Sequence, residues 1–179
     1  MRPILKSLLA FLLLAAAGFA ADFAETKKNA DAGDAAEQTS LGLMYDLGTG
    51  VPKDYAEAMS WYRKAADQGN AHAQYYLGVM YYNGDGVSKD LAEALSWWRL
   101  AADQGYADAQ YNLGNMYVRG ESVPKDLVQA HVWWNIAGAK GHENAKTNLE
   151  IVEEQMTSEQ KAEAMKLARE LFAKLPKGK

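Results

Sequence analysis

The sequence predicts an all-α solenoid of about three helix-pair repeats, with a half repeat at one end and a capping helix at the other. A Leu-Gly pair recurs every 36 residues, at positions 41, 77 and 113. Residues 34–69 match residues 70–105 at 22 of 36 positions, and residues 106–141 match residues 70–105 at 18 of 36. Self-similarity at a fixed period is typical of stacked helical repeats, in which each unit buries its apolar face against its neighbours.

The second repeat shows the pattern of two helices. Its first half predicts a helix from Ala71 to Asn83, because apolar residues recur at helical spacing and Gly84 follows. A second helix is predicted after Asp90, whose carboxylate caps it while Glu93 reaches back to the Asp90 amide in a capping box. Gly105 then ends this helix. Aspartate occupies the same capping position in the other two repeats.

Two residue types recur inside these helices. Tryptophan returns at a fixed phase, which favours a buried wedge between helices over a ligand-stacking site at Trp61, Trp97 and Trp133. Glycine costs about 1 kcal/mol relative to alanine inside a helix. Its recurrence therefore predicts that a neighbouring helix approaches closely at Gly42, Gly78 and Gly114.

The two ends of the array depart from the repeat, as terminal units must when one of their faces has no neighbour. At the C-terminal end, Thr157 and Gln160 predict a capping box that opens an amphipathic helix. The predicted organisation is a signal peptide (1–20), a half-repeat helix (21–33), three repeats (34–69, 70–105 and 106–141), a partial repeat helix (142–156), a capping helix (157–175) and a tail (176–179).

The first residues have the pattern of a secretory leader. Arg2 and Lys6 provide a positive start, an apolar run from Leu8 to Ala17 follows, and small residues then predict cleavage after Ala20. The alternative is an uncleaved anchor, but the apolar run is shorter than the ~20 residues that span a bilayer. The leader therefore predicts a periplasmic or secreted protein without stable membrane insertion after cleavage.

Composition excludes several functions. The formal net charge is −4, and basic residues form no cluster of the kind that nucleic acid binding requires. The chain has no cysteine, and its histidines, His72, His131 and His142, have no spacing typical of metal ligands. Neither a nucleophile with its base nor a phosphate-binding loop is evident. We therefore predict no catalytic residue, no metal, no cofactor and no enzymatic activity.

The repeated positions together carry a family resemblance. They combine Leu-Gly, Met-Tyr, a glycine-containing turn, Lys-Asp, a Trp-Tyr or Trp-Trp pair and, in the first two repeats, Ala-Ala-x2-Gly. With this combination residues 34–141 resemble the Sel1-like repeat, a relative of the tetratricopeptide repeat. The resemblance implies a right-handed superhelix with a concave groove. Ser122 departs from the pattern, since Gly50 and Gly86 stand at its position, and we expect the third loop to differ in shape.

The resemblance also implies that the first helix of each pair lines the groove. Three sets of positions vary on these helices while the frame around them stays constant, and they are the candidate partner-binding residues: Thr39, Tyr75 and Tyr111; Leu43, Val79 and Asn115; Asp46, Tyr82 and Val118. Tyrosine suits such a surface because it offers a large rigid area with one hydroxyl. The alternative is that half of these residues pack between helices.

These observations favour an exported interaction scaffold or adaptor, which binds a protein or peptide in the groove and acts in signalling or envelope assembly. Two alternatives remain open. Some cysteine-rich Sel1-like proteins have been associated with β-lactam binding or hydrolysis, but this chain lacks their cysteines. A secreted effector that acts on a host protein needs only the same leader and groove. We expect a monomer, and the sequence identifies neither the partner nor the pathway.

Overall fold

The computed structural model describes residues 22–176, which form helices and no strand. The all-α prediction is therefore confirmed, while the predicted leader and the last three residues lie outside the described range. The described helices are α1 (22–31), α2 (Ala35–Leu47), α3 (Tyr55–Asp67), α4 (Ala71–Asn83), α5 (Leu91–Asp103), α6 (Ala107–Arg119), α7 (Leu127–Ala139), α8 (Glu143–Glu153) and α9 (Ser158–Lys174). Among them, none has both the length and the apolar character needed to cross a bilayer.

The chain divides into two compact units, one ending at Ala73 and one beginning at Gln74. In the first unit, α1, α2 and α3 pack around Ala30, Leu41 and Trp61, all of which are buried. In the second unit, the helices from α5 onward enclose two adjoining cores, and α8 and α9 both pack on α7.

Aspartate caps the second helix of each pair, as predicted. The Asp90 carboxylate accepts hydrogen bonds from the Ala92 and Glu93 amides at 2.9 and 3.0 Å. The predicted return contact from Glu93 is replaced by another bond, because the Asp90 amide donates instead to the Tyr81 carbonyl at 2.9 Å. The complete capping box forms at α9, where Thr157 and Gln160 bond reciprocally at 2.9 and 3.2 Å.

The loop between the two helices keeps one conformation in all three repeats. Gly50 and Gly86 have φ angles of 76° and 70°, and Ser122 has a φ of 57° at the same position. The expectation that the third loop differs in shape is therefore wrong. Ser122 is held in the left-handed region because the third loop keeps the main-chain hydrogen bond that closes the other two. In the third loop, the Asp126 amide donates to the Tyr117 carbonyl at 3.0 Å.

The recurring glycines are contact points for aromatic rings, which confirms the predicted close approach. A Cβ atom at Gly42 would lie only 2.6 Å from the Tyr62 ring. In the second unit, the Trp98 and Trp134 rings occupy the corresponding space at Gly78 and Gly114. The predicted wedge positions are buried at Trp61 (7% exposed) and Trp133 (1% exposed), whereas Trp97 is half-buried.

A pair of glutamines links the two helices of the first and of the second repeat, but the third repeat lacks this bond. Gln68 donates to the Gln38 side-chain oxygen at 2.7 Å, and Gln104 donates to that of Gln74 at 2.8 Å. The corresponding residue after α7 is Lys140, whose Nζ donates to the Gly105 carbonyl instead. The Oε1 of the fully buried Gln110 is consequently left without a hydrogen-bond partner among the described residues.

Changing Ser122→Gly is expected to raise the free energy of unfolding by up to about 1.5 kcal/mol. A left-handed backbone costs a residue with a Cβ roughly 1–2 kcal/mol, and glycine avoids this cost. Glycine in turn loses more conformational entropy on folding, which offsets about 0.5–1 kcal/mol of the gain. The matched change Gly86→Ser is expected to lower it by a similar amount. Urea denaturation measures both, and changes of the same sign would contradict this account.

Changing Lys140→Gln is expected to stabilise the protein by about 1 kcal/mol, because it provides a donor for the buried Gln110 oxygen. The reverse change, Gln104→Lys, removes the donor from Gln74 and is expected to cost about 1–3 kcal/mol. Thermal and urea unfolding of the two variants provide the comparison. A destabilised Lys140→Gln variant would contradict this prediction. It would show that the bond from Lys140 to the Gly105 carbonyl contributes more to stability than a donor for the Gln110 oxygen does.

Candidate functional site

Two open cavities lie next to each other in the second unit. The first, of about 280 Å³, is lined by Val79, Tyr82, Asn83, Trp98, Asn112, Asn115, Met116, Arg119 and Glu121. The second, of about 230 Å³, is lined by Asn115, Val118, Arg119, Trp134, Asn148, Ile151, Val152 and Gln155. Asn115 and Arg119 of α6 belong to both linings, so these two side chains form a wall that the cavities share.

Four of the candidate residues line these cavities. Val79 and Tyr82 lie on α4 in the first cavity, Asn115 lies in the shared wall, and Val118 lies in the second cavity. All four are half-buried, which leaves part of each side chain open to a partner. The second and third predicted sets each have two members in this unit, and all four residues line the two cavities.

The tyrosines of the remaining set pack between helices instead. The Tyr75 ring lies 5.0 Å from the Tyr106 ring, and its hydroxyl is hydrogen-bonded to Asn112. Burial is the main cause that raises the pKa of both Tyr75 and Tyr106 above that of a free tyrosine. Tyr111 stacks on His142 with ring centroids 4.4 Å apart. These rings join successive helix pairs and line neither cavity.

The candidates in the first unit lie on α2. Thr39 is buried, and its hydroxyl donates to the Ala35 carbonyl at 2.8 Å. Leu43 and Asp46 are half-buried on the same helix. Thr39 therefore presents little surface to a partner, whereas Leu43 and Asp46 retain some.

Arg119 is the main residue of the cavities that the sequence did not single out. Its Nη1 donates to the Tyr82 hydroxyl at 2.8 Å, and the Lys89 ammonium lies 5.0 Å from the centre of the Tyr82 ring. The Glu121 carboxylate lies 3.8 Å from Nη1. One signal could have identified Arg119: its position at the end of the first helix is held by leucine and asparagine in the other two repeats.

Side-chain amides make up much of the remaining lining. They are Asn83 and Asn112 in the first cavity, Asn148 and Gln155 in the second, and Asn115 in both. The Asn148 amide donates to the Asn115 oxygen at 3.4 Å, which connects α8 to α6. Asn148 and Gln155 were missed because they follow the last full repeat, where no periodic comparison is possible.

Two histidines have structural contacts. His131 is fully buried, and its Nε2 lies 2.9 Å from a Glu153 oxygen. His142 accepts a hydrogen bond from the Ala145 amide through Nδ1 at 3.1 Å and faces Asp108 through Nε2 at 3.4 Å, so its side chain caps α8. Within residues 22–176, no group of three or more histidine, aspartate or glutamate side chains could hold a metal ion.

The repeat pattern of this fold matches a known family model. Residues 38–70, 71–106 and 107–142 each match the Sel1 repeat. The chain belongs to the Sel1 repeat family. The predicted resemblance is thereby confirmed, and with it the predicted class of α-α solenoid.

Two solved structures are similar to this chain in both sequence and fold. The chain is 35% identical to c5321, a protective antigen present in uropathogenic Escherichia coli strains and displaying an SLR fold, with a TM-score of 0.80 over 85% of this chain and 32% of that one. It is 38% identical to a Sel1 repeat protein from Oxalobacter formigenes, with a TM-score of 0.64 over 66% of this chain and 49% of that one. The chain thus spans about a third and about half of these proteins. No curated protein matches it significantly.

Proposed function

We propose that this protein is an exported interaction scaffold that binds a segment of a partner protein in the two adjoining cavities of its second unit. The observation that carries the proposal is the shared wall of Asn115 and Arg119, which makes two small cavities into one extended binding surface. Sel1 repeat proteins commonly serve as protein-interaction scaffolds and are generally not enzymes. Export is proposed from the leader pattern of residues 1–20.

The size and lining of the cavities support a polypeptide partner. Pockets for small molecules usually enclose about 300–1,000 Å³, and the two cavities fall below that range at about 280 and 230 Å³. Each suits one side chain, and neighbouring side chains of a single segment could occupy both. Trp98 and Trp134 contribute apolar surface to the linings, and the side-chain amides contribute hydrogen-bonding groups.

A photo-crosslinking amino acid at Ile151 is expected to capture a discrete protein partner in the cells that make this protein. Ile151 lines the second cavity and is 54% exposed. Leu100 is the matched control, since it is 48% exposed and lines neither cavity. The adduct at Ile151 should disappear when Asn115→Trp places a larger side chain between the two cavities. The crosslinker at Leu100 should give no adduct.

Equal adducts at both positions, or none at Ile151, would contradict binding at the cavities. The same cells test export. The scaffold itself should be recovered from the periplasm or the medium with Ala21 as its first residue, because cleavage is proposed after Ala20. Recovery from the cytoplasm with the leader intact would contradict export without affecting the proposed binding surface.

A further inference from the structure

The charge of the second cavity differs from that of the protein as a whole. The chain has a formal net charge of −4. Of the described residues that line the second cavity, Arg119 is the only one with a charge. Glu121 belongs to the lining of the first cavity and not of the second. The second cavity is therefore a locally positive site on an acidic protein.

Arg119 is held in place but retains donors for a ligand. Its bond to the Tyr82 hydroxyl uses Nη1. Neither Nη2 nor Nε is hydrogen-bonded to any described residue, and the side chain is 57% exposed. Glu121 lies 3.8 Å from Nη1, which is beyond hydrogen-bonding distance, so it uses none of the guanidinium donors. A guanidinium with two available donors can bind a carboxylate in bidentate fashion.

The amides around Arg119 match the backbone of an extended chain. A carboxamide carries both a donor and an acceptor, as does each peptide unit. Asn115 and Asn148 use one oxygen and one amide hydrogen in their mutual 3.4 Å contact, which leaves the Asn115 amide and the Asn148 oxygen for a ligand. Gln155 lies beside them in the same lining.

We propose that the ligand is an extended peptide segment with an internal acidic side chain, whose carboxylate is bound by Arg119 in the second cavity. This inference rests on the proposed function and specifies its partner. The acidic residue is internal because Arg119 stands in the wall between the cavities, so the chain continues on both sides of it. Tyr82 acts as a positioning residue, since it orients the guanidinium.

Fluorescence anisotropy with labelled, capped peptide pools tests this proposal on residues 21–179, the whole chain that follows the proposed leader. The pools differ only at one central position, which is aspartate, asparagine or lysine. The aspartate pool is expected to bind about tenfold more tightly than the asparagine pool, because a charge-assisted hydrogen bond contributes about that factor. Higher salt should reduce the difference.

Variants show whether Arg119 causes the preference. Arg119→Gln is expected to bind the aspartate and asparagine pools equally, while Arg119→Lys keeps part of the preference. Tyr82→Phe should weaken the preference without abolishing it. Arg169→Gln is the matched control, because Arg169 is exposed on α9 and lines neither cavity. Circular dichroism confirms that each variant is folded.

Four results would overturn the proposal: equal binding of the aspartate and asparagine pools, tightest binding of the lysine pool, a preference that survives Arg119→Gln, or tighter binding of peptides that end in a free carboxylate at that position. The last result would indicate a chain end in place of an internal residue. In each case an adduct at Ile151 in cells would leave the proposed scaffold function standing. Failure of both experiments would reject the scaffold function as well.

Discussion

The contact between an aromatic ring and a glycine is the constraint on which the rest of the structure depends. In the second unit, Trp98 and Trp134 occupy the space that Gly78 and Gly114 leave open. Each indole also donates to a main-chain carbonyl of the facing helix, at 3.1 Å. Burying one aromatic ring gives about 4–6 kcal/mol as an upper estimate, which exceeds the ~1 kcal/mol helix penalty of the glycine.

The same contact shapes the candidate site. Trp98 lines the first cavity and Trp134 the second, so the rings that join the helices also line the candidate site. Residues elsewhere on the first helices are free to vary because the rings and glycines maintain the helix spacing. That variation placed an arginine at position 119, and with it a positive site on an acidic protein.

The helices could be predicted because their determinants are local. The bounds of α4, the aspartate caps and the glycine contacts all follow from residues within one period. The bond from Arg119 to Tyr82 could not be predicted, since it joins residues 37 positions apart and depends on how two helices face each other. The Ser122 conformation and the Asp90 amide bond were also missed, because the main-chain hydrogen bonds that close the loop between the two helices outweigh the preferences of single residues there.

A double-mutant cycle between Gly114 and Trp134 tests the central contact most directly. In the wild-type background, Gly114→Ala is expected to lower the free energy of unfolding by about 1–3 kcal/mol, because the new methyl group overlaps the indole. In a Trp134→Val background the same change should be neutral or stabilising by up to about 1 kcal/mol, since only helix propensity remains. Gly138→Ala should have a small effect in both backgrounds, because its Cβ would meet the flexible Lys146 side chain at 3.1 Å and the Lys146 backbone only at the ordinary contact distance of 3.8 Å. An equal loss from Gly114→Ala in the two backgrounds would contradict the account.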